Sequence, residues 1–375
     1  MRLIFLIDCI ARWGGTERIL VDKMNHFAQM GHDVFLITIN QGRHPYVFEM
    51  DKSIVKLDLN IQMHFIHKYH GFRKFVEFMF REYRLYKRLY KQIKKIAPDI
   101  ITCTIPSDFY TILYLYSNLP VIIVESHMST LDSFNYHIPN ILKPLILFRD
   151  KKALRKANCI VSLTDGDAKE WRKYNDNVAV IPNVVHLNNS SLYSEHSKKK
   201  VIFVGRLAKQ KGLNLLLDIW EIVHQRHNDW ILDIYGEGDM EEWLKEQINN
   251  NNINIVLHKP TLDIHECYKN SSMLVLTSNY EPFGLVIPEA MSCGLPVVSF
   301  DCPYGPRDII TDGEDGYLVQ PGDCETFTDK ICYLIEHPEE RKKMGKNAIN
   351  SAQRYKPEKI MPIWIELYNF LTNEL

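Results

Sequence analysis

In Glu281-Pro282-Phe283-Gly284-Leu285-Val286-Ile287-Pro288-Glu289, two carboxylates stand eight residues apart across a Phe-Gly turn. Pro282 and Gly284 disfavour a helix through Glu281, whereas Ile287 to Ser292 reads as helical and tolerates Pro288 in its first turn. Glu281 is therefore expected on a loop and Glu289 about one turn inside the following helix. Unpaired backbone N–H groups from Phe283 to Leu285 would form an anion site at that helix entry. Carboxylates accept hydrogen bonds from sugar hydroxyls and free amides hold phosphate, so the segment suits a sugar nucleotide. An ordinary helix entry with a flanking acid would show the same pattern.

Three further places carry the right chemistry. Val201-Ile202-Phe203-Val204 runs into Gly205-Arg206-Leu207-Ala208-Lys209-Gln210-Lys211-Gly212, an apolar strand opening into a basic, glycine-bounded loop. Such a loop falls at the carboxyl end of a strand, where α/β proteins place ligands. Arg offers a planar fork for phosphate and Lys a point charge. Leu3 to Ile7 leads to Gly14-Gly15-Thr16-Glu17, a second strand-to-helix turn where glycine lets backbone approach a ligand. Neither this turn nor Tyr235-Gly236-Glu237-Gly238-Asp239 has the G-x-G-x-x-G spacing of a dinucleotide fingerprint. His127 ends the apolar run Val121 to Val124, at its carboxyl edge.

Together these segments resemble the retaining family 4 (group 1) glycosyltransferases, most specifically from Val201 to Val319, including Ala290-Met291-Ser292-Cys293-Gly294-Leu295-Pro296-Val297-Val298. The resemblance implies the GT-B fold: two Rossmann-like α/β domains with a cleft between them and a last helix, about Lys359 to Leu371, crossing back to the N-terminal domain. It places the donor on Gly14, Gly15, Gly205, Arg206, Lys211, Glu281, Phe283, Gly284, Leu285, Val286 and Glu289. Gly15 would lie beside the donor diphosphate, whose roughly two negative charges Arg206 and Lys211 would neutralise in the absence of a divalent-metal motif. Glu289 would bind the ribose and Glu281 the transferred sugar. His127 would hydrogen-bond that sugar near the reacting carbon, facing the basic pair across the cleft. No metal and no cofactor is expected; the nucleotide sugar is a substrate. Phe300-Asp301-Cys302-Pro303-Tyr304-Gly305-Pro306-Arg307-Asp308 resembles a variant in bacterial surface-glycan transferases using UDP-hexoses or UDP-N-acetylhexosamines, which favours UDP. Against that, His258-Lys259-Pro260 stands where the family often has a glycine in the base-binding loop, leaving nucleobase preference open.

The elements that must position these residues follow from alternation of strand and helix along both halves, an α/β pattern with mainly parallel sheets. Strands are expected at Leu3–Ile7, Asp33–Ile39, Val55–Leu59, Asp99–Cys103, Pro120–Glu125, Cys159–Leu163 and Val178–Ile181. In the second half they are expected at Lys200–Val204, Trp230–Tyr235, Ile253–Leu257, Met273–Thr277 and Pro296–Phe300. Helices include Thr16–Met30 and Tyr110–Ser117. The polar run 188–199 reads as a linker between an N-terminal acceptor domain (1–187, completed by 357–375) and a C-terminal donor domain (200–356). A chain of 375 residues with 46% hydrophobic content buries enough core for two domains.

Composition narrows the setting. No apolar run reaches the roughly 20 residues of a membrane span, and the residues after Arg2 are too short an apolar run for a signal peptide. The eight cysteines are scattered, without C-x-x-C, and read as reduced thiols of a cytoplasmic protein. The net charge of −1 hides an asymmetry: through Leu187 there are 26 Lys/Arg against 18 Asp/Glu, leaving 19 against 28 afterwards. Lys68 to Lys95 holds ten of those bases and two acids, interleaved with Phe72, Phe75, Phe78, Phe80, Tyr83, Tyr86 and Tyr90. This is a basic amphipathic helix able to lie on an anionic membrane surface, or equally one packing its aromatics on a sheet. Such docking would make the protein peripheral on the inner face of the plasma membrane.

The reading is a metal-independent retaining hexosyltransferase that moves a hexose or N-acetylhexosamine from a nucleotide sugar, with UDP favoured, to a glycan or lipid-linked acceptor in bacterial cell-surface polysaccharide synthesis. No nucleic-acid partner is expected. Two rivals share the fold or the ligand: a relative such as a UDP-N-acetylglucosamine 2-epimerase, against which the Arg206, Lys211, Glu281 and Glu289 set argues, and a non-catalytic sugar-nucleotide-binding protein, which would be expected to lack His127.

Overall fold

The computed structural model describes residues 1–11, 14–104, 120–127, 143–185, 187, 193–251 and 253–373. The expected helix Tyr110–Ser117 lies outside them. The chain divides into two units, Met1–Val184 with Met361–Leu375, and Val185–Ile360.

The first unit is built on a parallel sheet: β1 (Arg2–Ile7), β2 (Asp33–Thr38), β3 (Val55–Asp58), β4 (Ile100–Thr104), β5 (Val121–Glu125), β6 (Cys159–Ser162) and β7 (Val178–Val180), in the order β3-β2-β1-β4-β5-β6-β7. Apolar runs such as Leu3 to Ile7 are buried throughout, as strands covered on both faces must be. Helix Gly71–Ile96 lays Leu85, Leu89, Ile93 and Ile96 on this sheet, among Ile4, Leu6, Ile37 and Ile101. It stops where Ala97 turns left-handed (φ 48°) and its N–H closes on Ile93 O, with Pro98 barring continuation.

The second unit carries β8 (Lys200–Val204), β9 (Ile231–Tyr235), β10 (Ile255–His258), β11 (Met273–Leu276), β12 (Val297–Phe300) and β13 (Gly316–Val319), all parallel, in the order β10-β9-β8-β11-β12-β13. Both sheets run outward from their first strand in two directions. That is the doubly wound arrangement, with a reversal of strand order beside β1 and again beside β8. β13 was not expected, because four residues starting at Gly316 are too few to show a period.

The final helix, Pro357–Asn373, passes from the second unit into the first. Within the first unit Tyr368 hydrogen-bonds Thr102 at 2.7 Å and stacks on Phe27 with ring centroids 4.9 Å apart. The return of the last helix to the N-terminal unit is thus secured by a buried aromatic contact. The run 188–199 needs correction as a linker over its described part. Ser194 and His196 are buried in the second unit: Ser194 N–H donates to Cys293 O and its Oγ to Ser271 O, His196 Nδ1 meets Ser272 O, and Arg341 donates to His196 O. Backbone carbonyls meet Ser194 Oγ and His196 Nδ1, and Ser194 Oγ takes His196 N–H, so these polar groups can be buried here.

Candidate functional site

All six strands of the second unit point their carboxyl ends to one edge, and the basic loop and the acid loop leave from β8 and β11, the neighbours on either side of the order reversal. Hydrogen bonds to backbone carbonyls sew the two loops together. Asn279 N–H donates to Gln210 O at 2.8 Å, Gln210 Nε2 to Tyr280 O at 3.0 Å, and Thr277 Oγ1 to Lys211 O at 3.0 Å. A third loop, after β12, grips Glu281 from the other side: Glu281 N–H donates to Pro303 O at 3.2 Å and Gly305 N–H to Glu281 O at 2.9 Å. The proline- and glycine-rich segment at 300–310 therefore has a structural task. It even holds Tyr304 at φ 82°, a conformation that costs a non-glycine residue about 1–3 kcal/mol.

This framework joins Lys211 to Glu281. Lys211 Nζ lies 2.5 Å from Glu281 Oε1, and Ser278 Oγ donates to the same oxygen at 2.6 Å. Their side chains are 13% and 5% exposed. Oε2 of Glu281 makes neither bond and is left to accept from a ligand hydroxyl. Arg206 is exposed, and among the described residues no hydrogen bond or ion pair holds its guanidinium. Of the two expected cations, one is thus already partnered and one is not. Gly205 lies under the Lys211 stem, where a Cβ would meet Cε at 3.2 Å. Gly236 and Gly238, candidates for ligand approach by sequence, instead let the β9 turn press on the β8 loop: a Cβ on Gly236 would stand 2.0 Å from Gly205 O.

Helix Val286–Ser292 begins as expected after the Phe-Gly turn, with Gly284 at φ 88° and Glu289 in its first turn. Gly284, Leu285 and Val286 N–H have no acceptor among the described residues, so this short turn does present free amides. The Phe283 ring is buried, edge-on to Tyr355 with centroids 5.4 Å apart, so only the backbone of this residue faces the turn, as expected of an amide contributor. Glu289 is half-buried beside the Tyr268 phenol; burial first, then the Glu289 charge, raises that phenol well above its usual range.

In the first unit, Gly14 caps helix Gly15–Gln29, and Glu17 folds back over it so closely that a Cβ on Gly14 would clash with its carboxylate. An anion at this turn would have to displace Glu17. His127 follows β5 with its side chain buried, Nε2 lying 2.9 Å from Glu125 Oε2, which also takes Lys23 Nζ at 2.5 Å. Burial alone would raise the Glu125 carboxyl, but the Lys23 charge and the His127 contact override it and hold it at about 2. Sequence reasoning missed Lys23 and Glu125; Glu125 two residues before His127 at a strand end was the available signal. No helix among the described residues is long and apolar enough to cross a membrane.

Two family models together match residues 13–351. One, described as Glycosyltransferase Family 4, matches residues 13–189, and the other, Glycosyl transferases group 1, matches residues 188–351. The chain belongs to the family 4, group 1 glycosyltransferases. Among the relatives of this hexosyltransferase is the amylovoran biosynthesis glycosyltransferase AmsD of Erwinia amylovora, 28% identical over 382 residues, or 98% of this chain and 99% of that one. The poly(ribitol-phosphate) alpha-N-acetylglucosaminyltransferase of Staphylococcus aureus is 31% identical over 219 residues, 57% of this chain and 44% of that one. A variant of TarM from S. aureus, solved with fondaparinux, alpha-GlcNAc-glycerol and UDP, superposes with a TM-score of 0.77 at 17% identity, over 98% of this chain and 100% of that one. At that identity the likeness shows the shared fold, GT-B.

Proposed function

We propose that this glycosyltransferase is retaining and metal-independent, and moves a hexose or N-acetylhexosamine from a UDP-sugar to a glycan or lipid-linked acceptor in bacterial surface-polysaccharide synthesis. The observation that carries the reading is the joined Lys211–Glu281 pair at the strand-order reversal, with Arg206, which has no partner among the described residues, on the same loop as Lys211. A sugar diphosphate needs positive charge at its phosphates and an acceptor at its hydroxyls, and this site offers both. UDP is favoured because a structural relative was solved with it, and a surface polysaccharide because AmsD is named for one.

In the proposed reaction the bond between the anomeric carbon and the UDP oxygen breaks through an oxocarbenium-like state. Arg206 and Lys211 stabilise the charge growing on UDP. The acceptor oxygen bonds the same face of the carbon, and its proton passes to the departing phosphate. Glu281 Oε2 holds a hydroxyl of the transferred sugar, Glu289 the ribose, and His127 a further sugar hydroxyl. A calorimetric screen of UDP-, GDP- and ADP-sugars tests the donor: tightest binding of a GDP- or ADP-sugar would refute the UDP assignment.

The membrane-facing part of the proposal rests on helix Gly71–Ile96. Its first half exposes Phe72, Phe75, Val76, Met79, Phe80 and Tyr83, spaced three and four apart on one stripe, with the bases Arg73 and Lys87 on the same side of the helix. We assign this stripe to an anionic lipid surface, whose charge complements those bases. Two bases of the segment are committed elsewhere: Arg81 donates to Ile61 O and Gln62 O, and Arg88 to Leu59 O and Asn60 O.

A further inference from the structure

Lys23, Glu125 and His127 form a chain of buried charge-bearing groups, of which the reaction above uses only the last. Lys23 and Glu125 are each 2% exposed. Both Lys23 Nζ and His127 Nε2 converge on Glu125 Oε2, and Lys23 sits 3.5 Å over the Trp364 ring. Between Glu125 and His127, Ser126 is tied to a different set of partners. Its N–H donates to Val161 O at 2.8 Å and its Oγ to Asp167 Oδ2 at 3.1 Å, an oxygen that also takes Trp171 Nε1 at 2.7 Å. The segment is therefore pinned through its middle residue while the carboxylate holds the imidazole.

Stability alone accounts poorly for this arrangement, because a buried ion pair is often no better than well-packed apolar side chains of the same volume. Orientation accounts for it well. An ionised carboxylate has no proton to give, so the ring nitrogen facing it must carry one. We propose that Glu125, itself paired with Lys23, is a positioning residue that fixes His127 in the Nε2–H tautomer, leaving Nδ1 as a hydrogen-bond acceptor for a hydroxyl of the transferred sugar. This rests on the reading of His127 as a contact of that sugar.

The test combines spectroscopy with turnover on the full chain. In protein carrying ¹⁵N-histidine, with the His127 signals identified by their loss in His127→Gln, the wild type should show a protonated Nε2 and a bare Nδ1. In Glu125→Gln the side-chain amide can donate as well as accept, so the Nδ1–H tautomer should appear. Hydrolysis of UDP-glucose and UDP-N-acetylglucosamine, followed as UDP release, should fall by about 10- to 100-fold in kcat, the range seen when a partner that orients a functional histidine is lost. UDP affinity by calorimetry should not change. Lys23→Met/Glu125→Gln removes both charges without stranding either, and should keep the lowered kcat even if it melts at the wild-type temperature. Wild-type kcat in that double variant, or an unchanged Nε2–H tautomer in Glu125→Gln, overturns the positioning role. Wild-type turnover in His127→Gln would instead overturn the sugar-contact reading while leaving the tautomer measurement to judge Glu125.

Discussion

Lys211 and Arg206 carry the same charge but should fail differently when removed. Arg206 is exposed and has no partner among the described residues, so Arg206→Ala should lower kcat/KM by about 10²-fold or more, as expected for a transition-state charge partner, with an unchanged melting temperature. Lys211→Ala strands the buried Glu281 carboxylate, which adds a stability loss of about 3–5 kcal/mol to the loss of rate. Adding Glu281→Gln should restore the melting temperature of the Lys211 variant but not its activity; a thermal-shift series with donor kinetics separates the two. Equal melting of the Arg206 and Lys211 variants would mean that the ion pair is not formed in solution. Glu125 gives a pH prediction. Its carboxyl is depressed to about 2 from an unfolded value of about 4.3. Its contribution is therefore fully present above the unfolded value and lost as pH falls through 4 toward 2. Urea denaturation should show the wild type losing stability across that window more steeply than Glu125→Gln.

At the scale of elements, helix Gly71–Ile96 does two jobs along its length. Its second half is core, and Arg81 and Arg88 clasp the backbone carbonyls of 59–62. Its first half carries the exposed stripe. Replacing Phe72, Phe75, Met79 and Phe80 with Ser should abolish flotation with anionic liposomes and leave the fold intact, whereas replacing Arg81 and Arg88 should mainly lower stability. Wild-type flotation should require anionic lipid and fall with salt; indifference to both would remove the membrane surface from the proposal. The strand-end turns offer a second test. Gly236→Ala drives a Cβ against Gly205 O, which must shift the loop under Lys211. About 1–3 kcal/mol of destabilisation is expected, with weaker UDP binding by calorimetry. Unchanged UDP affinity would argue that the loop does not hold the diphosphate.

For the whole molecule, the two sheets share one winding scheme, but the second concentrates the proposed donor groups at its order reversal. If Arg206, Lys211 and the free amides at 284–286 neutralise the diphosphate, transfer should survive excess EDTA. Loss of activity in EDTA that Mn²⁺ or Mg²⁺ restores would show that a divalent ion shares the work, and would refute metal independence.

The strands other than β13, the α/β class, the glycosyltransferase family and the loop position of Glu281 were legible along the chain. Buried parallel strands write themselves as apolar runs, and the turns between them as glycine and proline, so both signals are local. β13 left too short a run to be seen. What sequence could not supply is pairing between residues far apart in the chain. The separation of 70 positions between Lys211 and Glu281 hides the ion pair that makes one of the two expected cations unavailable without exchange. The separation of 102 positions between Lys23 and Glu125 hides the charge chain behind His127. Ser194 and His196 read as linker because they are polar, and only the backbone carbonyls that meet them show why they are buried. Local chemistry determines which residues could act; only the order of strands in the sheet decides which of them meet.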